Sequence, residues 1–148
     1  RAERLMDQAE ATKVVIPSET PRAHELKKKL VALAEEAGFS QEDCFAIQLT
    51  LDEALSNAIH HGNCGDPKKK VEVKYRFTED RFEATIRDEG CGFEPGDLPD
   101  PRADENLTRP HGRGVLLMRS YMHEVRFTEH GRCVHLVRKK NTPISNDH

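Results

Sequence analysis

Glu53 and Asn57 lie four residues apart in the run CFAIQLTLDEALSNAIHHGN, residues 44 to 63, and they are the first pair in the chain whose types and spacing could do chemistry. On a helix that spacing stacks the two side chains one turn apart on one surface, with Leu49 and His61 extending the row. A carboxamide oxygen is a hard ligand suited to Mg²⁺, and a carboxylate beside it can serve as base toward a hydroxyl or a water. Taken alone, the pair is also what a solvated helix face carries. It gains meaning from what the chain places elsewhere.

Two later stations carry compatible chemistry. Asp88, Gly90 and Gly92 follow the alternating stretch RFEATIR directly, so an acceptor carboxylate stands at a strand end beside backbone that lacks Cβ atoms. A flat ligand can lie against such backbone while its amino group donates to the acid. His111, Gly112, Arg113 and Gly114 then open the helical segment VLLMRSYM. Glycines at a helix mouth leave its free N–H groups facing a ligand, the helix dipole attracts phosphate, and Arg113 adds a cation. His111 acquires no role from this reasoning. Between the stations, residues 94 to 109 contain Pro95, Pro99 and Pro101 and no apolar periodicity. A loop that long in a compact domain is disordered or a functional lid.

The elements that must hold these groups are legible in the apolar spacing. Cys44, Ile47, Leu51, Ala54, Leu55 and Ala58 recur at three and four residues, which predicts one buried stripe on the central helix. Ser40, with Asp43 three residues on, resembles a capping box at its start, and GNCGDPKKK ends it with turn residues. Thr12 to Ile16 is β-branched and stops at Pro17, which predicts an edge strand. Pro21 to Gly38 predicts an amphipathic helix whose basic middle, Lys27 to Lys29, is a solvated face. VEVKYRF and RFEATIR predict two antiparallel strands joined at Thr78-Glu79-Asp80, with Lys68 to Lys70 guarding the edge. His123 to Phe127 and Cys133 to Val137 predict a second pair turning at His130-Gly131. The organisation expected is a lead-in over 1 to 11, a domain over 12 to 138 and a disordered tail over 139 to 148.

Composition narrows the function classes. For 148 residues a single domain is expected, and 36% hydrophobic residues gathered in periodic runs argue for a folded core. A net charge of −3 offers no basic field for direct nucleic-acid binding. No apolar run approaches a membrane span and nothing resembles a signal peptide, so a soluble cytoplasmic protein is expected. Cysteines at 44, 64, 91 and 133 have no CxxC spacing, which favours reduced thiols over a disulfide or zinc framework. A zinc site from His60, His61, His111 and a cysteine would lack a familiar ligand spacing.

In order and spacing, ExxxN on a helix, DxGxG after a strand and GxG opening a later helix resemble the ATP-binding boxes of the GHKL superfamily. The strings LDEALSNAIHHG, DEGCGFEP and HGRGVLLMRSYMHEVRF are similar to its branch of anti-sigma-factor serine/threonine kinases, over residues 12 to 138. The resemblance implies a two-layer α/β (α+β) sandwich of the Bergerat type, with helices on one face of a mixed, mainly antiparallel sheet. It implies Glu53 as general base, Asn57 as the Mg²⁺ ligand, Asp88 as the adenine-binding acid, and Gly90 and Gly92 as the first glycine box. Gly112, Arg113 and Gly114 match the phosphate-binding lid box, and His61 matches a phosphate neighbour. The reaction implied is transfer of the γ-phosphoryl of ATP to a serine of a STAS-type anti-anti-sigma partner, with a sigma factor and a second copy of the chain as further partners. The competing class is a nucleotide-gated binding module that sequesters a partner without phosphorylating it. With no phosphoacceptor-His segment ahead of the boxes and no transducer domain after them, a complete sensor histidine kinase or a gyrase-type machine is not expected.

Overall fold

The computed structural model describes residues 11–90 and 112–144, which form a five-stranded sheet with three helices. Strand β1 (Thr12–Pro17) leads into α1 (Thr20–Glu36) and α2 (Gln41–Ser56), which continues as a π-helical turn over Asn57–Gly62. Strands β2 (Lys70–Phe77) and β3 (Arg81–Arg87) follow, then α3 (Gly112–Tyr121), β4 (Glu124–Thr128) and β5 (Cys133–Lys139). The sheet order is β1-β2-β3-β5-β4, so β1 is the edge strand its Pro17 predicts. Where a mixed, mainly antiparallel sheet is expected, all four described pairings are antiparallel.

Period-two alternation builds the core face. Val71, Val73, Tyr75 and Phe77 of β2 lie buried opposite Ile86, Ala84 and Phe82 of β3, while the residues between them face solvent. The buried stripe expected on α2 is present from Cys44 to Ala58, packed on this face with Leu26, Leu30 and Ala34 of α1. Ser40 caps α2, its Oγ accepting the Asp43 N–H at 3.0 Å. Gly38, at φ +88°, ends α1 in a left-handed turn in which the Phe39 N–H reaches back to Ala34 O.

A buried ion pair ties the start of α2 to the C-terminal end of β5. Arg138 donates from Nε and Nη2 to Asp43 Oδ1 at 2.9 and 2.8 Å, and from Nη1 to Tyr121 O, while the Asn141 N–H binds Asp43 Oδ2. Burial alone would raise the Asp43 carboxyl, but the Asn141 N–H, Arg138 and Ser40 together hold it below its ordinary value.

Four sequence expectations change. Lys27 is buried rather than solvated: its helix face packs on α2, its stem is covered, and its ammonium reaches Asp52 at 2.9 Å. Lys69 is more than an edge guard, since its ammonium donates to Gly90 O. Lys139, expected to begin a disordered tail, ends β5. Beyond it Lys140 donates to Ala37 O, and His123 binds Thr142 O. Cys64 is disulfide-bonded, whereas Cys44 and Cys133 are free and buried. Motif spacing is blind to which distant turns a fold brings together. Among the described residues no helix is long and apolar enough to cross a membrane.

Candidate functional site

The site is built along one helix. Glu53 falls in the last α-helical turn of α2 and Asn57 opens the π-helical continuation, so both belong to one continuous rod whose inward residues, Ala54, Leu55, Ala58 and Ile59, are buried. The Asn63 N–H closes on Ala58 O at 2.9 Å, the wider loop that defines a π-turn. Such turns recur at functional positions because they re-aim the side chains that follow. Glu53 and Asn57 stay half-buried, accessible on the face opposite the core stripe.

Within this rod, at the last α-helical turn, Glu53 meets the start of α3. A Cβ added to Gly114 would collide with the Glu53 carboxylate, so the two are in direct contact and a side chain there would push the carboxylate from this position. Gly112, Arg113 and Gly114 form the first turn of α3, where unbonded N–H groups and the positive end of the helix dipole favour an anion. An acid capable of taking a proton therefore stands beside a backbone suited to phosphate.

At the rod's C-terminal end, against Gly62, lies Asp88, just past β3. Its N–H donates to Arg132 O at 2.9 Å, and its carboxylate presses on Gly62 so closely that a Cβ there would overlap it. The residue is only 9% exposed, and its Oδ1 has no hydrogen-bond partner. Burial pushes its carboxyl up to about 6, against the opposing pull of the Gly90 N–H, Arg132 and Lys69. A buried acceptor left without a donor costs stability, and a ligand N–H would satisfy it. Glu53 and Gly62 are nine residues apart on this one continuous helix, so both acids address the same rod.

The remaining candidates are placed less directly. His61 is exposed near the end of the π-turn, with partial burial and neighbouring His60 holding its imidazole below the ordinary value. Gly90 takes φ +85°, which a side chain would strain. Gly92 and His111 lie outside the described residues. Among the described residues no group of three or more His, Cys, Asp or Glu is placed to hold a metal. Mg²⁺ needs fewer protein ligands, because it keeps waters and takes phosphate oxygens, and the Asn57 amide oxygen near the Glu53 carboxylate is a donor set it accepts.

Sequence reasoning missed the residues that hold Asp88 in place. Gly62 makes room for its carboxylate, and Asn63, read as turn chemistry, is fully buried and bonded on both ends of its amide. The string HGN held the signal, but only the fold reveals that this turn faces the exit of β3.

Residues 16–138 match the histidine kinase-like ATPase domain, and the chain belongs to that family. Within it, the chain is 28% identical over 107 residues to the serine-protein kinase RsbW of Bacillus licheniformis, covering 68% of this chain and 67% of that one. It is 33% identical over 91 residues to the anti-sigma F factor of Halalkalibacterium halodurans, covering 59% and 61% respectively. The matched stretches thus span about two thirds of these relatives' length. A crystal structure of the RsbU and RsbW domains of Rv1364c from Mycobacterium tuberculosis is similar in fold. Its TM-score is 0.61 at 15% identity, over 92% of this chain and 34% of the mycobacterial one.

Proposed function

We propose that the chain is an ATP-dependent serine protein kinase that phosphorylates a serine of a STAS-type anti-anti-sigma partner, within a partner-switching pathway that includes a sigma factor. The observation that carries this reading is two acids set against one helix: Glu53 beside a phosphate-favouring helix mouth, and the buried Asp88 carboxylate, whose Oδ1 has no partner, against Gly62 at the helix's end. The names of the relatives, serine-protein kinase and anti-sigma factor, support it.

In this reading Asp88 Oδ1 accepts the adenine amino group, and the glycine backbone at Gly90 lies against the base. Asn57 holds Mg²⁺, which when bound neutralises phosphate charge. The first turn of α3, Gly112 to Gly114, receives the phosphates on its N–H groups. Glu53 takes the proton of the incoming serine hydroxyl as its oxygen bonds to the γ-phosphorus and the bond to ADP breaks. Little covalent work falls to the protein in such a transfer, so positioning and charge stabilisation are its main contributions.

The test incubates the chain with γ-labelled ATP, Mg²⁺ and a STAS-domain partner. Label on a partner serine, lost with Glu53→Ala, is the expected outcome. Nucleotide-dependent partner binding with no label, equal for wild type and Glu53→Ala, would replace the kinase with a sequestering module.

A further inference from the structure

Asn63 is the most completely engaged polar side chain among the described residues. It is 0% exposed, and both ends of its amide are used twice. Its Nδ2 donates to Ser18 Oγ at 2.8 Å and to Lys70 O at 2.9 Å. Its Oδ1 accepts the N–H of Glu89 at 2.8 Å and of Gly90 at 3.2 Å. The donors thus grip the end of β1 and the start of β2, while the acceptor grips the two residues immediately after Asp88. Ser18 Oγ passes the restraint on to Lys69 O at 2.8 Å. From the opposite side Glu89 Oε2 accepts the Lys70 N–H and the Lys69 ammonium donates to Gly90 O.

We propose that Asn63 is a positioning residue for base recognition: by fixing the Glu89 and Gly90 amides it sets where the Asp88 carboxylate points, and so sets discrimination for a 6-amino purine. This rests on the reading of Asp88 as the adenine acceptor. The chemistry requires such a device. Asp88 has no partner for Oδ1, so nothing at that atom fixes the side chain before a ligand arrives. The carboxylate is held instead by a hydrogen bond from the Gly90 N–H, whose amide Asn63 fixes, and by the Asp88 N–H bonded to Arg132 O. A fully satisfied buried amide supplies that rigidity, and removing it frees several groups together.

The experiment compares affinities for ATP and for purine riboside triphosphate, which lacks the 6-amino group, in wild type, Asn63→Ala, Ser18→Ala and Asp88→Asn. A purely structural residue would weaken both ligands alike. Here Asn63→Ala should lower the ATP preference about tenfold, and Ser18→Ala, which removes one of the two anchors, should lower it by a smaller factor. Should Asn63→Ala fail to fold, Ser18→Ala decides, together with hydrogen exchange in the wild-type protein, where the Glu89 and Gly90 amides should be protected. An undiminished preference in Asn63→Ala, or in Ser18→Ala if that variant alone folds, overturns the inference, as do rapidly exchanging Glu89 and Gly90 amides. If instead Asp88→Asn leaves the preference intact, the adenine reading itself fails.

Discussion

Replacing Asp88 by asparagine should stabilise the nucleotide-free protein while removing its grip on adenine. The carboxyl is raised from 3.8 to about 6 by burial. At 1.36 kcal/mol per decade, holding it ionised in the folded chain at neutral pH therefore costs about 3 kcal/mol. Because the folded value lies above the unfolded one, the favourable contribution of Asp88 is present in full below pH 3.8 and is lost as pH rises through about 6. Asparagine has the same shape and no charge to desolvate, but its unpartnered amide retains roughly 1–2 kcal/mol of the penalty. The net expectation is a gain of about 1–2 kcal/mol at pH 7.5, or a rise of about 3–6 °C in Tm for a domain this size. The gain should shrink toward zero or reverse at pH 4.5, where aspartic acid is mostly protonated. Denaturant unfolding without nucleotide at the two pH values measures it. A variant less stable than wild type at pH 7.5, or a difference that does not change with pH, would refute the reasoning.

Three further outcomes follow from the packing. Gly62→Ala places a methyl group in the space of the Asp88 carboxylate, so ATP affinity should fall by an order of magnitude or more while circular dichroism keeps the native spectrum. Gly114→Ala does the same to Glu53, and steady-state assays should find phosphoryl transfer reduced more than nucleotide affinity. Asp43→Ala leaves Arg138 charged and buried without its partner, and urea unfolding should find a loss of about 3–5 kcal/mol.

Much of this architecture was legible because periodicity is a local signal. The stripe from Cys44 to Ala58 and the alternation in VEVKYRF each announce an element and its inward face. Glu53 and Asp88 could be singled out only together: either alone reads as a solvated face or a turn, and it is their order with the later GxG that resembles an ATP-binding site. What could not be read was any relation between distant turns. Asn63 looks like a loop residue until β3 brings Glu89 and Gly90 onto its Oδ1, and Lys27 looks solvated until α1 lies along α2. The pairing of Asp43 with Arg138, separated by 95 residues in the chain, belongs to the same class. The π-turn at Asn57 escaped because the apolar spacing of Ala54, Leu55, Ala58 and Ile59 continues the helical pattern straight into it.

The most direct test of the account is a crystal structure of the chain with Mg²⁺ and a non-hydrolysable ATP analogue. The account predicts the adenine amino group on Asp88 Oδ1, the metal on Asn57, and the γ-phosphate between Glu53 and the first turn of α3. A nucleotide bound elsewhere, or an Asp88 that contacts no part of the base, would contradict it.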